Sequence, residues 1–593
     1  MSIRHRARCA ILSLTLAVSL FLVSCAPAPS DTSYEEYHAG QSQDDTAFDR
    51  LSEDLFRSEV SGDLITLHYT LADPSAFGIT DYPCTFGTFS ADSSDQIEAI
   101  LENLGNISQE NLSKDRALTY RILENYLTTR SLASGLELYE QPLSSTIGIQ
   151  AQLPILLSEY AFYREQDVHD YLLLLTDIDR YYGEILEFEQ QKAAAGLAPC
   201  DTVIDRLLDS CKAYVTQAGN EFLKETFAKR LEGVDGISDA DRTAYISQNE
   251  QVLNEHFVPA YEKLCAGLKS LRGKGKNTKG LFYFPQGKAY YEYLVQSKIG
   301  PSYPTIEELK NAVGQQMFSD LQEMNALLSS DPSLSEQAKN FRFSLNDPTE
   351  ILEDLKRKSQ ADFPPIDECV YEVKDVPTAL EPYLSPAFYL TVPLDRPKDN
   401  SIYINHGSSA GEDSLYATLA HEGYPGHMYQ TQYFNAHNSS NLRKLLSFTS
   451  YNEGWATYVE QLSYQMADGV NPNLATLLAR NSSFTLGLYA LLDIQIHYAG
   501  WDLAQTKEYL NSYFQIDDLS VISTIFYDVA ENPANYLQYY VGSLEIKNLR
   551  RAAETALGEA FSPKDFHTFL LSVGPAPFSI IWEMFREWVK TAH

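Results

Sequence analysis

The sequence predicts a mainly α fold with a small β-sheet late in the chain, and three observations carry that expectation. Apolar residues recur at helical spacing over long stretches, among them Asp95 to Tyr126, Tyr171 to Phe188 and Val203 to Tyr214, with Gly, Pro and Asn between them. Between Glu368 and His406 the pattern changes to short β-branched and aromatic runs, Tyr371 to Val376, Phe388 to Val392 and Ile402 to Ile404, separated by Pro and Asp. The chain has 593 residues and is 44% hydrophobic, enough to bury a large core and to divide into two lobes. No repeat period marks it as a solenoid.

The elements follow in order. Arg4, Arg6 and Arg8 precede an apolar run from Ala10 to Ser24 that is short for a membrane span, so residues 1–24 read as a secretion signal. The run ends in Leu22-Val23-Ser24-Cys25-Ala26, which resembles a bacterial lipobox. Cleavage before Cys25 and acylation of its thiol would hold the protein on a membrane surface. An ordinary cleaved signal and an uncleaved anchor are the alternatives. Residues 25–47, rich in Pro, Ser, Asp and Gln, read as a flexible tether. Residues 48–330 are expected to form an N-terminal helical lobe and 331–593 a second lobe carrying the candidate site. The formal charge of −35 falls to −38 when the three signal arginines leave, which argues against nucleic acid and against adhesion to anionic lipid. Beyond Cys9 and Cys25 five cysteines remain, with no Cys-x-x-Cys. Cys200 and Cys211 lie either side of a helical stretch and are expected to stay unpaired.

The chemistry concentrates in His421-Glu422-Gly423-Tyr424-Pro425-Gly426-His427 and in Asn452-Glu453-Gly454-Trp455-Ala456. Two imidazoles and a carboxylate are the ligand types of a catalytic zinc site that keeps one position for water. A carboxylate beside the first histidine is placed to take a proton from that water and deliver it to a leaving amine. The expectation is one Zn2+ per chain held by His421, His427 and Glu453, with Glu422 as general base. The competing reading is a pair of structural histidines. Six residues on an ideal helix turn two rings roughly 120° apart, so the site needs a broken helix. Gly423, Pro425 and Gly426 supply a cause. Ser409-Ala410-Gly411-Glu412 matches a capping box for the helix carrying His421, and Leu415 and Leu419 give it a buried face. Glu453 opens a second helical run, Trp455 to Met466, with Glu460 on the same face as a reserve ligand or a support for one. Asn405 ends a strand and is read either as a contact for substrate backbone or as a turn former. A strand of the small sheet could pair with an extended peptide.

His-Glu-x-x-Pro-Gly-His followed by Glu-Gly-Trp-Ala resembles a bacterial family known as domain of unknown function 885. Further blocks carry the resemblance: Gly280-Leu281 with Pro285 and Gly287, Thr305 to Leu309, Ser401 to Asn405, Asp493 with His497 and Gly500-Trp501, and Tyr540-Val541-Gly542 through Arg550. The site layout is similar to that of gluzincin metallopeptidases. The resemblance implies a two-lobed helical peptidase with a deep cleft and a small sheet beside the active-site helix, an oligopeptidase or carboxypeptidase acting on short peptides. It also implies that Tyr540 and His497 stabilise the tetrahedral intermediate. The chain departs from the usual gluzincin pattern in its widened histidine spacing and in Thr457, which stands where an acid is usual. Arg550 is read either as a clamp for a substrate carboxylate or as a structural partner of Glu545 or Glu554. Two rival functions stay open: a surface lipoprotein that binds a ligand without turnover, and a metal-dependent hydrolase of a non-peptide amide.

Overall fold

The computed structural model describes residues 42–591 apart from 90–93, 368, 379–380, 382–383 and 408–410. The signal, Cys25, nearly all of the tether and the Ser409-Ala410 half of the expected capping box lie outside the described residues. The chain is mainly helical, with one three-stranded sheet.

Helices form where apolar periodicity is strong, and polar side chains set their ends. Ser42 caps Gln43–Val60 by accepting the Asp45 N–H at 2.9 Å, while Phe48 and Phe56 are buried. Residues 43–47, expected as the end of the tether, are therefore the first turn of a helix. The Asp95 to Tyr126 stretch divides into Ser94–Gly105 and Lys114–Ser131. Glu165–Ala194 and Asp201–Val215 contain the other two expected runs. Thr305 caps Ile306–Ser330 through the Glu308 N–H at 3.2 Å. The five described cysteines are free thiols; Cys200 stands at the N-cap of the Asp201–Val215 helix and Cys211 further along it, which keeps them apart.

Strands β1 (Tyr371–Asp375), β2 (Ala387–Leu390) and β3 (Asn400–Ile404) lie in the order β1-β3-β2. β3 is parallel to β1 and antiparallel to β2, with Tyr389 opposite Ile402. As the central strand, β3 is buried along its whole length, and β2 is an edge strand whose first three residues are buried.

The largest apolar cluster contains Phe48, Tyr171, Leu264, Leu419, Trp455 and Phe585. It is continuous across residue 330, where the sequence suggested a boundary between lobes. A second cluster gathers Val313, Leu488 and Tyr540 from three helices.

Candidate metal centre

His421 and His427 are brought together by a break in the helix. Gly411–Glu422 ends one residue after His421, and His427–His437 begins on His427. Pro425 brings no backbone donor, and its peptide with Tyr424 is cis. A Cβ on Gly426 would meet the His421 carbonyl oxygen at 1.7 Å, so glycine alone permits this fold-back. The Trp455 indole N–H donates to the Pro425 carbonyl at 2.9 Å and clamps the bend. The two rings thus belong to two helices, and the divergence expected on one helix does not arise. Their centroids are 4.8 Å apart with the planes at 82°.

Glu453 comes from the Thr449–Met466 helix, in its second turn and not at its opening as the sequence suggested. The helix starts earlier because Thr449 to Asn452 pack inward, with Ser450 and Tyr451 buried. Beside Glu453, Gly454 lies against Gly542 of the Asn535–Leu557 helix. A Cβ on Gly454 would meet the Gly542 carbonyl carbon at 2.4 Å, and one on Gly542 would meet the Ser450 oxygen at 2.0 Å. This backbone contact sets the depth of Glu453.

The potential ligand atoms of His421, His427 and Glu453 lie within 4.8 Å of one another, and all three residues are buried. Glu453 Oε2 is 3.5 Å from His421 Nε2 and 3.6 Å from His427 Nε2. A tetrahedral zinc with bonds of about 2.0–2.2 Å holds its ligand atoms roughly 3.3–3.5 Å apart. Both Nε2 atoms are buried without a hydrogen-bond partner, as lone pairs reserved for a cation would be. The residues present therefore fit a zinc ion. Glu460 Oε2 lies 3.2 Å from His421 Nδ1, which gives Glu460 the supporting role of its two sequence readings.

The carboxylates and imidazoles act strongly on one another. Burial opposes charge on His421, but the Glu453 and Glu460 carboxylates beside its two nitrogens outweigh it and hold the imidazole pKa up to about 10. Burial likewise opposes charge on Glu453, yet His427 and His421 hold its carboxyl far below the usual range. Burial raises the Glu422 pKa, against the pull of His421 and His427. Glu422 Oε2 accepts the Tyr389 backbone N–H at 3.0 Å, from the edge strand β2. The sequence carried no signal for this donor, because any residue but proline supplies it.

The other predicted residues have different surroundings. His497 is fully buried with both ring nitrogens engaged: Nδ1 accepts the Leu281 N–H at 3.2 Å, and Nε2 meets the Val529 carbonyl at 3.0 Å. Asp493 accepts the Tyr291 hydroxyl at 2.7 Å and the Ala534 N–H at 3.0 Å. This pair fastens a helix to its neighbours. Tyr540 sits in the second apolar cluster, its ring against Gly487 and its hydroxyl without a partner. Asn405 donates to the Glu381 and Leu384 carbonyls at 2.9 and 2.8 Å and accepts the Gly407 N–H at 3.0 Å, the bonds of a turn former. Arg550 pairs with Glu554 at 2.9 Å and donates to the Tyr458 hydroxyl at 2.7 Å.

Among the described residues no helix is long and apolar enough to cross a membrane. A search of curated proteins finds no match. The fold is similar to that of a crystal structure of a "putative lipoprotein" from Colwellia psychrerythraea. That match has a TM-score of 0.77 and 18% identity, over 93% of this chain and 99% of the other. A "putative lipoprotein of unknown function" from Shewanella oneidensis is similar at a TM-score of 0.53 and 19% identity, over 82% and 90% of the two chains. The family described as "Bacterial protein of unknown function (DUF885)" matches residues 87–584, and the chain belongs to it.

Proposed function

We propose that the protein is a zinc-dependent peptidase, held outside the cytoplasm by a lipid on Cys25, that hydrolyses short peptides. The observation that carries this reading is the convergence of three buried ligand atoms, two of them imidazole nitrogens with no other partner, beside a buried carboxylate. His421, His427 and Glu453 would hold the ion, and Glu460 would keep the His421 ring turned toward it. Bound there, zinc would acidify a water and polarise a scissile carbonyl. Glu422, held through Oε2 by the Tyr389 N–H, keeps its other oxygen for a proton. It takes that proton from the attacking water and passes it to the leaving amine. The edge strand β2 supports binding of an extended backbone next to Glu422.

The test is metal content and peptide hydrolysis together. The intact protein is expected to hold about one zinc per chain, lost in His427→Ala and retained in Glu422→Gln. Glu422→Gln is expected to lower kcat by about 10²–10⁴-fold with the metal still bound. A wild-type protein that takes up no zinc, or a Glu422→Gln variant that hydrolyses peptides normally, sinks the reading.

A further inference from the structure

The sheet has a second face. Alternation along β3 turns Asn400, Ile402 and Ile404 one way and Ser401 and Tyr403 the other. Ile402 lies beside Gly423, at the end of the helix that carries His421. Tyr403 on the far face donates its hydroxyl to Glu159 of the Ile149–Glu159 helix. Between that far face and the N-terminal helices lies a cavity of about 470 Å³, lined in part by Tyr163, Arg230 and Lys398.

The wall formed by the β2–β3 connection is tied down. Asp395 accepts the Ala72 and Asp73 N–H groups at 2.8 and 2.7 Å, and the Leu394 N–H donates to the Thr70 carbonyl at 2.8 Å. The Arg396 guanidinium stands 4.8 Å over the Tyr163 ring. The cavity is thus part of the fold.

Its wall is chemically unfinished. Ser401 is 6% exposed and lines the cavity, yet its hydroxyl makes no hydrogen bond among the described residues. Several lining charges neutralise one another locally: Glu372 pairs with Lys374 at 3.6 Å, and Asp399 with Arg396 at 3.6 Å. Three are not paired in this way. Glu159 has no cation within ion-pair distance among the described residues, Lys398 is exposed without a carboxylate partner, and Arg230 has no carboxylate but stands 4.7 and 5.1 Å over the Phe162 and Tyr171 rings. Arg230 donates through Nε and Nη1 to the Thr226 and Tyr160 carbonyls, and its Nη2 has no partner. A simple anion would satisfy the cations and face Glu159, and a simple cation would do the reverse. A ligand carrying both charges answers both.

The geometry points to a second ligand site, on the opposite face of the sheet from the metal centre, that takes a small zwitterion: a free amino acid or a dipeptide. Its carboxylate would meet Arg230 and Lys398, its ammonium Glu159, and Ser401 would hydrogen-bond either group. The volume suits a molecule of that size.

The test is calorimetric titration of the intact protein with L-alanyl-L-alanine and with L-alanine, using propionate and propylamine as single-charge analogues. The expected result is one saturable site for at least one zwitterion, present in the wild type and in His427→Ala. The affinity should fall at least tenfold in Ser401→Val and in Lys398→Glu, and each analogue should bind at least tenfold more weakly. Lys398 is exposed, so its variant keeps the question open should Ser401→Val fail to fold. Three results overturn the proposal. One is binding abolished by His427→Ala but indifferent to Lys398→Glu, which would put the ligand in the metal site. Another is propionate binding as tightly as the zwitterion, which would make the cavity an anion site. The third is no binding of either zwitterion at millimolar concentration. L-Alanine cannot be hydrolysed and His427→Ala lacks a proposed metal ligand, so titrations with either read this site alone, and it and the peptidase reading stand or fall separately.

Discussion

At the scale of single residues, the site depends on groups that orient others. Glu460 touches His421 through Nδ1, so Glu460→Gln should keep the ligand set intact while weakening zinc binding by about 10–100-fold, as measured by competition with a chromophoric chelator. His567 shows how burial fixes a protonation state away from the metal. Its Nδ1 meets the Asp362 carbonyl at 2.6 Å, and its Nε2 faces the Tyr458 hydroxyl at 2.9 Å, so the neutral ring completes both bonds. Burial, with Arg550 beside it, lowers its pKa to about 3. An unfolded histidine titrates near 6.5, so between that pH and about 3 the unfolded chain binds more protons. The contribution of His567 to stability is complete above 6.5 and is lost as the pH falls. A glutamine can make both bonds and does not titrate. Between pH 6.5 and 4.5, wild type should therefore lose up to about 2–3 kcal/mol more stability than His567→Gln, read from denaturant unfolding at each pH. Much at this scale was legible in the sequence. Ligand types and the adjacent carboxylate are written in His421, Glu422, His427 and Glu453. For Asn405 the turn former was one of two readings, and its bonds are those of a turn former; the surroundings of His497 were not legible, because a buried histidine that fastens two elements has the same letter as one that touches substrate.

At the scale of elements, the candidate metal centre is a meeting of helix ends and one close crossing. The bend at Gly423 to Gly426 was foreseen from composition, since proline and glycine declare a break. What the sequence did not declare was that the break would start a new helix on His427. The contact of Gly454 with Gly542 was equally hidden, because pairing between distant helices leaves no periodic trace. Gly542→Ala would drive a methyl into the Ser450 carbonyl at 2.0 Å, and a helix backbone cannot yield locally. The expected outcome is about 2–3 kcal/mol of lost stability, together with impaired zinc uptake in whatever fraction folds, because Glu453 is carried on the displaced helix. Thermal unfolding with parallel metal analysis checks both. An unchanged melting temperature would show that the crossing tolerates a side chain. The small sheet was legible to within a few residues from its β-branched runs. Its order, with β3 in the centre and β2 at the edge, was not, because order depends on partners chosen in three dimensions.

At the scale of the whole molecule, the prevalence of helix was legible in the apolar periodicity. The apolar core runs through residue 330 and joins Phe48, Trp455 and Phe585 in one cluster. Ties between distant parts reinforce it: Arg121 pairs with Glu583, and the Phe578 N–H donates to the Gly300 carbonyl at 2.8 Å. Calorimetry of the intact chain should show one dominant cooperative transition, and a fragment ending at residue 330 should expose apolar surface to a hydrophobic dye. Two well-separated transitions, or a fragment that folds by itself, would contradict this. The same continuity bears on biogenesis. If the chain leaves the cytoplasm from its N-terminus, as the proposed lipid anchor requires, it presents Phe48 first and Phe585 nearly last. At about 5–20 residues per second, the early apolar helices wait on the order of a minute for the partners that cover them. A holding chaperone on the far side of the membrane would shield them in that interval, and yield in a strain lacking one should fall more steeply for this chain than for one whose core closes early.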